Sequence, residues 1–259
     1  GILLDGGSLA AVVNNTIEDN VITTNGSGAS NYGVHFTGFA TAHTAGNVVR
    51  NNTIVTFGTT TNYGIRLDTF SNNNTIANNT ILSGGSGTGN DGMIVVQSSN
   101  NTFINNVVRA NGPNLSHGVE LTTSSTRNIF GNNNLTTFAS ASHAIFSSAS
   151  NNTFINTLLN DPVQWIFSDS SSNNSFINTT FFQANTSSQF FGTLNSTGQQ
   201  NVTRDELLLR YNFARLDSRT MPFMNATARI TFRGLFNVSE PRVYADFDED
   251  GTVELCPSS

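Results

Sequence analysis

The sequence predicts an all-β chain: a parallel β-helix solenoid over residues 1–198, then a small sandwich-like β module over residues 199–259. Three observations carry this. A strand motif led by Asn recurs along the chain. A second strand, led by Gly, runs in phase with it. Composition then changes near residue 200, where Asn falls from 34 in residues 1–200 to 4 in residues 201–259.

Asn15–Ile22 (Asn-Thr-Ile-Glu-Asp-Asn-Val-Ile) returns as Asn47–Ile54, Asn74–Ile81 and Asn101–Val108, and again from Asn128, Asn152 and Asn174. The leading Asn residues are spaced by 32, 27, 27, 27, 24 and 22 positions. In phase run Gly33–Phe36, Gly64–Leu67, Gly92–Val95 and Gly118–Leu121, then Ala144–Ser147, with Gly1–Leu4 as the first member. Alternation of period two marks half-buried strands. A repeat of this length without helical spacing marks a solenoid whose coils stack about 4.8 Å apart. Seven or eight coils would make a rod about 35–40 Å long. Leucine-rich repeats are the runner-up, but their Leu-x-x-Leu-x-Leu signature is missing. The recurring Asn has a physical reason: at a coil corner it tolerates left-handed backbone, and its amide bonds to backbone groups and to the Asn above.

These Asn-Asn-Thr-Ile/Phe-x-Asn-Asn-x-Ile repeats resemble those of the pectin-lyase-like superfamily, in the copper-binding-periplasmic-protein-like branch found in archaeal surface proteins. The resemblance covers about residues 1–190 and implies a right-handed parallel β-helix. It describes coil corners and does not by itself fix a function.

Composition excludes several classes. Eleven Arg, no Lys and a net charge of -6 disfavour a nucleic-acid partner held by phosphates. No apolar run approaches the ~20 residues of a membrane span. A single Cys leaves no internal disulfide and no Cys-based zinc site. The 20 Phe and many Ile, Val and Leu suffice for a core. The chain opens on Gly1 in strand pattern without a signal peptide, as a processed or truncated product would.

Sixteen Asn-x-Ser/Thr acceptors occur, at Asn14, Asn25, Asn51, Asn73, Asn78, Asn100, Asn114, Asn134, Asn151, Asn173, Asn178, Asn185, Asn195, Asn201, Asn225 and Asn237. The repeat alone generates some of them. Their excess points to an extracellular or cell-surface N-glycoprotein. Ladder Asn facing inward cannot take sugar, so Asn51, Asn73, Asn100 and Asn151, beside the corners, are the better acceptors.

Acids are few along the solenoid, and none repeats in a column as the carboxyl pair of a glycosidase. One column, Tyr32, Tyr63, Asp91, His117 and His143, places Asp91, His117 and His143 in consecutive coils. That set suits a metal or a His–carboxylate base, against the plainer reading of a polar corner. A second column, His35, Arg66, Ile94, Glu120 and Phe146, faces outward and suits either solvent or an acidic sugar. Trp165 and Phe167 read as core or cap.

Residues 205–216, 226–233, 241–247 and 253–256 read as four strands of the C-terminal module. Within it, Asp246, Asp248, Asp250 and Gly251 match a calcium loop, but Pro257 takes the place of its bidentate Glu, and a hairpin turn is the alternative. Archaeal surface modules, which this passage resembles more weakly, imply a partner for Cys256 downstream or in another chain.

The first coil, at Gly1, Ile2, Leu3 and Leu4, has no capping helix, and an open solenoid end invites head-to-tail contact. The expectation is a non-catalytic structural glycoprotein that self-associates into a filament or surface array. No cofactor is expected beyond covalent N-glycans, with Ca²⁺ as the alternative. The alternative functions are a polysaccharide lyase or hydrolase, and a glycan-binding adhesion module.

Overall fold

The computed structural model describes residues 1–122, 124–160, 162, 164–168, 173–183, 186–190, 193–195, 200–210, 213–217, 219–221, 224, 228–233, 244–245 and 254–255. Asp246, Asp248, Asp250 and Cys256 lie outside them, as do Asn185, Asn225 and Asn237.

Three sheets wrap one core. The first and second sheets have eight strands and the third has nine. Setting aside antiparallel members, one each in the first and second sheets and two in the third, every sheet contributes seven parallel strands, one per coil. The first sheet begins at Ile2–Asp5 and takes up the Gly-led strands, such as Ile65–Leu67 and Val119–Leu121. The second sheet holds the three-residue strands that follow the leading Asn, such as Thr75–Ala77. The third holds longer strands such as Thr80–Gly84.

Alternation decides what is inside. Val49, Ile76, Phe103, Phe130, Phe154 and Phe176 form one fully buried column. Its rings stack directly, at 4.4 Å for Phe103–Phe130, 4.8 Å for Phe130–Phe154 and 5.1 Å for Phe154–Phe176. Translation by one coil superposes like on like, so the same ring recurs from Phe103 to Phe176, with aliphatic Val49 and Ile76 ahead of it. The Gly column sits at the tightest corner. A Cβ on Gly64 would lie 2.2 Å from Ile81 Cγ2 and 2.6 Å from the Gly92 carbonyl.

The Asn motif divides its work between two residues, where the sequence suggests one. The leading Asn is an interior rung. Asn74, for example, donates from its backbone N (2.8 Å) and Nδ2 (3.2 Å) to Asn101 Oδ1, and from Nδ2 to the Thr44 carbonyl (2.9 Å). The left-handed residue is the one before it: Asn14, Asn51, Asn73, Asn78, Asn100 and Asn151 have φ between 56° and 59°. Their side chains are exposed, while the next residue of the chain faces in from the second coil onward.

The solenoid ends by turning back on itself. After Thr180–Gln183 the chain reverses, and Thr186–Phe190 pairs antiparallel with it. Thr193–Asn195 and Gln200–Val202 then pair antiparallel with the last strands of the second and first sheets. One coil is thus retraced backwards. Trp165 is fully buried behind it, its Nε1 donating to the Leu207 carbonyl at 2.9 Å.

Beyond this point the arrangement departs from a four-stranded module. The 205–216 stretch is a hairpin of Leu207–Arg210 and Phe213–Leu216. Ala228–Phe232 joins the third sheet against Thr186–Phe190. Tyr244–Ala245 pairs with Glu254–Leu255.

Candidate functional site

The outer face of the first sheet gathers most of the solenoid's chemistry. His35, Arg66, Ile94, Glu120, Phe146 and Phe167 occupy one register position in successive coils. Phe167 is therefore an outward residue stacked on Phe146 at 4.6 Å, and not core or cap. At the early end, Tyr32 and Tyr63 stack at 5.4 Å, and the Arg66 guanidinium lies 5.2 Å from each ring. Asp68 Oδ2 accepts from Arg66 Nε (2.6 Å) and meets His35 Nε2 (2.8 Å). Burial opposes ionisation of Asp68, but the hydrogen bonds from His35 and Arg66 outweigh it and hold the carboxyl below its ordinary value. As one of the few solenoid acids Asp68 is out of register with Glu120, and its place between His35 and Arg66 follows from no column.

The column Asp91, His117 and His143 stacks in consecutive coils, with a different use from metal binding. Asp91 Oδ1 accepts from the His117 backbone N at 2.6 Å, and His117 Nδ1 accepts from the His143 backbone N at 3.0 Å. Each side chain therefore caps the next coil's backbone, as the Asn rungs do. Among the described residues no group of three His, Cys, Asp or Glu is placed to hold a metal ion.

Asp91 is also subject to an influence that its column conceals. Its side chain is fully buried, and Oδ2 has no donor. Burial first, then the negative charge of Glu120 in the next coil, push the Asp91 carboxyl well above its ordinary value. Burial and Asp91 likewise push up the Tyr63 phenol.

Burial, reinforced by His143, depresses His117 to about 3. Its neutral ring stacks on Phe146 at 4.5 Å. Burial also depresses His143, partly countered by Asn201, whose Oδ1 lies 3.1 Å from His143 Nε2. Asn201 is a sequon residue with a second role that only the reversed coil creates. A separate cleft of about 500 Å³, lined by Asn25, Phe57, Gly85 and Asn111 among others, contains no titratable side chain.

These shifts set pH effects of opposite sign. His117 titrates below its ordinary value, so its contribution is complete above pH about 6.5 and is lost as pH falls toward about 3. Asp91 titrates above its ordinary value, so its contribution is complete below pH about 3.9 and is lost as pH rises through the folded value. Urea midpoints measured across pH should show a smaller acid-side loss in His117→Asn, whose amide oxygen can take the His143 N–H, than in the wild type, where Asp68 and His143 add to it. Asp91→Asn should reduce the loss on the rising side. Parallel profiles for all three proteins would contradict both assignments.

The sequons fall into groups. Asn14, Asn51, Asn73, Asn78, Asn100, Asn151, Asn173 and Asn178 flank the second sheet at its two corners, exposed except for the half-buried Asn178. Asn25 ends the strand Val21–Asn25 and Asn114 lies on a turn between the third sheet and the first, both exposed. Asn134 opens the strand Asn134–Thr137, with its Oδ1 buried. Asn195 lies in the reversed coil.

No helix of the described residues is long and apolar enough to cross a membrane. No curated protein and no solved structure matches the chain significantly. A family model described as right handed beta helix region matches residues 1–159, more than half of the 259. The stacked parallel sheets agree with it, and the chain belongs to the right-handed β-helix family.

Proposed function

We propose that this protein is an extracellular structural glycoprotein, a rigid β-helix rod that carries N-linked sugar on its coil corners and self-associates into a filament or surface array. The observation that carries the reading is the division of labour in the Asn pairs 51/52, 73/74, 78/79, 100/101 and 151/152. The sequon Asn is exposed and left-handed, while the following Asn is a buried rung. Sugar can therefore be added without disturbing the ladder. Support for end-to-end contact is the first coil: Leu3 is 58% exposed and Val21 79% exposed, beside Ile2–Asp5, which pairs on one side only among the described residues. Mass spectrometry of the protein from its source, with electron microscopy of the same material, tests both parts. Glycopeptides at Asn51, Asn73 or Asn100 and ordered filaments that Leu3→Glu disperses are expected. Bare monomers would refute the reading.

The Asp91–Glu120 pair favours a second reading, a carbohydrate-active face. Asp91, pushed toward its protonated form beside Glu120, has the character of a general acid, and Phe146 and Phe167 lie in the same outward row as Glu120. Cleavage of a polysaccharide panel, abolished by Glu120→Gln, is its test.

A further inference from the structure

Sequons on the two corner lines are not independent of one another. Asn73 and Asn100 occupy the same left-handed corner in consecutive coils, at φ 57° and 58°, with Thr75 opposite Thr102 in register. Asn51 and Asn78 do the same on the other corner, with Thr53 opposite Thr80. Asn151 and Asn173 lie in consecutive coils ahead of Thr153 and Ser175, which are paired. Coils are about 4.8 Å apart. Side chains that share a backbone conformation project in parallel, so their amide groups are neighbours. The second corner line displays this contact directly. Asn105 Nδ2 donates to Asn78 Oδ1 at 3.1 Å, Asn156 to Asn132 at 3.1 Å, and Asn178 to Asn156 at 3.2 Å.

We propose that sequons one coil apart form exclusive pairs, so that Asn51/Asn78, Asn73/Asn100 and Asn151/Asn173 each carry at most one N-glycan on a given folded chain. A branched, hydrated glycan core is broader than one coil step. Sugar on one amide nitrogen therefore covers the next. A chain modified at both positions would have to spread two corners that the Asn rungs hold together, through bonds such as Asn74 to Asn101 and Asn52 to Asn79. Asn14 is free of this restriction. Its neighbour on the corner line is Gly46, and the Asn14 side chain lies over that glycine, its Oδ1 2.6 Å from where a Cβ would stand. The restriction does not reach Asn178 either: its side chain bonds to Asn156, but Asn156 begins no sequon and so carries no competing sugar. The eight sequons beside the second sheet thus hold at most five glycans, namely one for each of three pairs plus Asn14 and Asn178.

The inference rests on the glycoprotein reading, and one peptide separates the two. With no Lys in the chain, trypsin releases residues 67–109 as a single fragment bearing Asn73, Asn78 and Asn100. Intact-mass and fragmentation spectra of this peptide, from folded protein purified from its source, should show sugar at Asn73 or Asn100 and never at both. Thr75→Ala, which cancels the Asn73 sequon but keeps the left-handed Asn, should raise occupancy at Asn100. Peptides carrying both sugars would overturn the exclusion and leave the glycoprotein reading intact. Unchanged Asn100 occupancy in Thr75→Ala would also overturn it. Fragments 51–66, 67–109 and 128–204, which together carry all three pairs, bare in every copy would end both.

Discussion

Replacing Asn106 with Ala is expected to lower the unfolding free energy by about 3–5 kcal/mol, the sum of one orphaned buried donor and several lost hydrogen bonds. Asn106 is a buried rung near the middle of its ladder. Its Oδ1 accepts from the backbone N and from Nδ2 of Asn79, both at 3.0 Å. Its Nδ2 donates to the Ile76 carbonyl (3.0 Å) and to Asn133 Oδ1 (3.1 Å). Alanine removes all four bonds. The Asn79 amide N–H is left in the interior with no acceptor, where water cannot replace what was lost. The adjacent Asn105 is the control. It is exposed and left-handed (φ 57°), so Asn105→Ala should cost the backbone strain, about 1–2 kcal/mol, and little more for its solvent-exposed bond to Asn78. Urea unfolding of the two variants, followed by circular dichroism, compares them directly. Equal losses would mean that the rung contributes no more than the corner.

Phe130→Ala should be comparably severe, at about 3–5 kcal/mol. Phe130 is fully buried between Phe103 and Phe154, with ring planes only 4° and 14° from parallel. Its removal opens a ring-sized gap that the coils on either side cannot close, because the hydrogen-bonded ladders fix their spacing. Phe130→Leu keeps most of the volume and should recover more than half of the loss. Phe138, 53% exposed, provides the comparison: Phe138→Ala should stay within about 0.5 kcal/mol. Thermal midpoints in one buffer suffice. A small Phe130→Ala effect would show that the column is loosely packed.

What could be read from the sequence follows from translation. A solenoid repeats its environment once per coil, so the Asn rungs, the Phe column and the outward row from His35 to Phe146 all appear as periodic positions. Phe167 was within reach too, since it extends that row by one coil. The influence of Glu120 on Asp91 was not. Register places Asp91 beside His117, and Glu120 beside Ile94, so the two are diagonal across neighbouring coils. Asp68 escaped for a similar reason, because it joins His35 of the preceding coil to Arg66 of its own strand. The His143–Asn201 contact spans 58 positions and exists only because the chain doubles back, which no period announces.

That doubling back bears on how the rod forms. Rungs between successive coils join residues 32 positions apart at Asn15–Asn47 and 22 apart at Asn152–Asn174. Each such closure is entropically costly before any neighbour rewards it. Where the chain reverses, Gln183 pairs with Thr186, and the hairpin can close on the fast timescale of local strand pairing. The hairpin is a local nucleus that presents ready edges to the coil before it. Growth from it, coil by coil toward residue 1 and against the direction of synthesis, is the expected order.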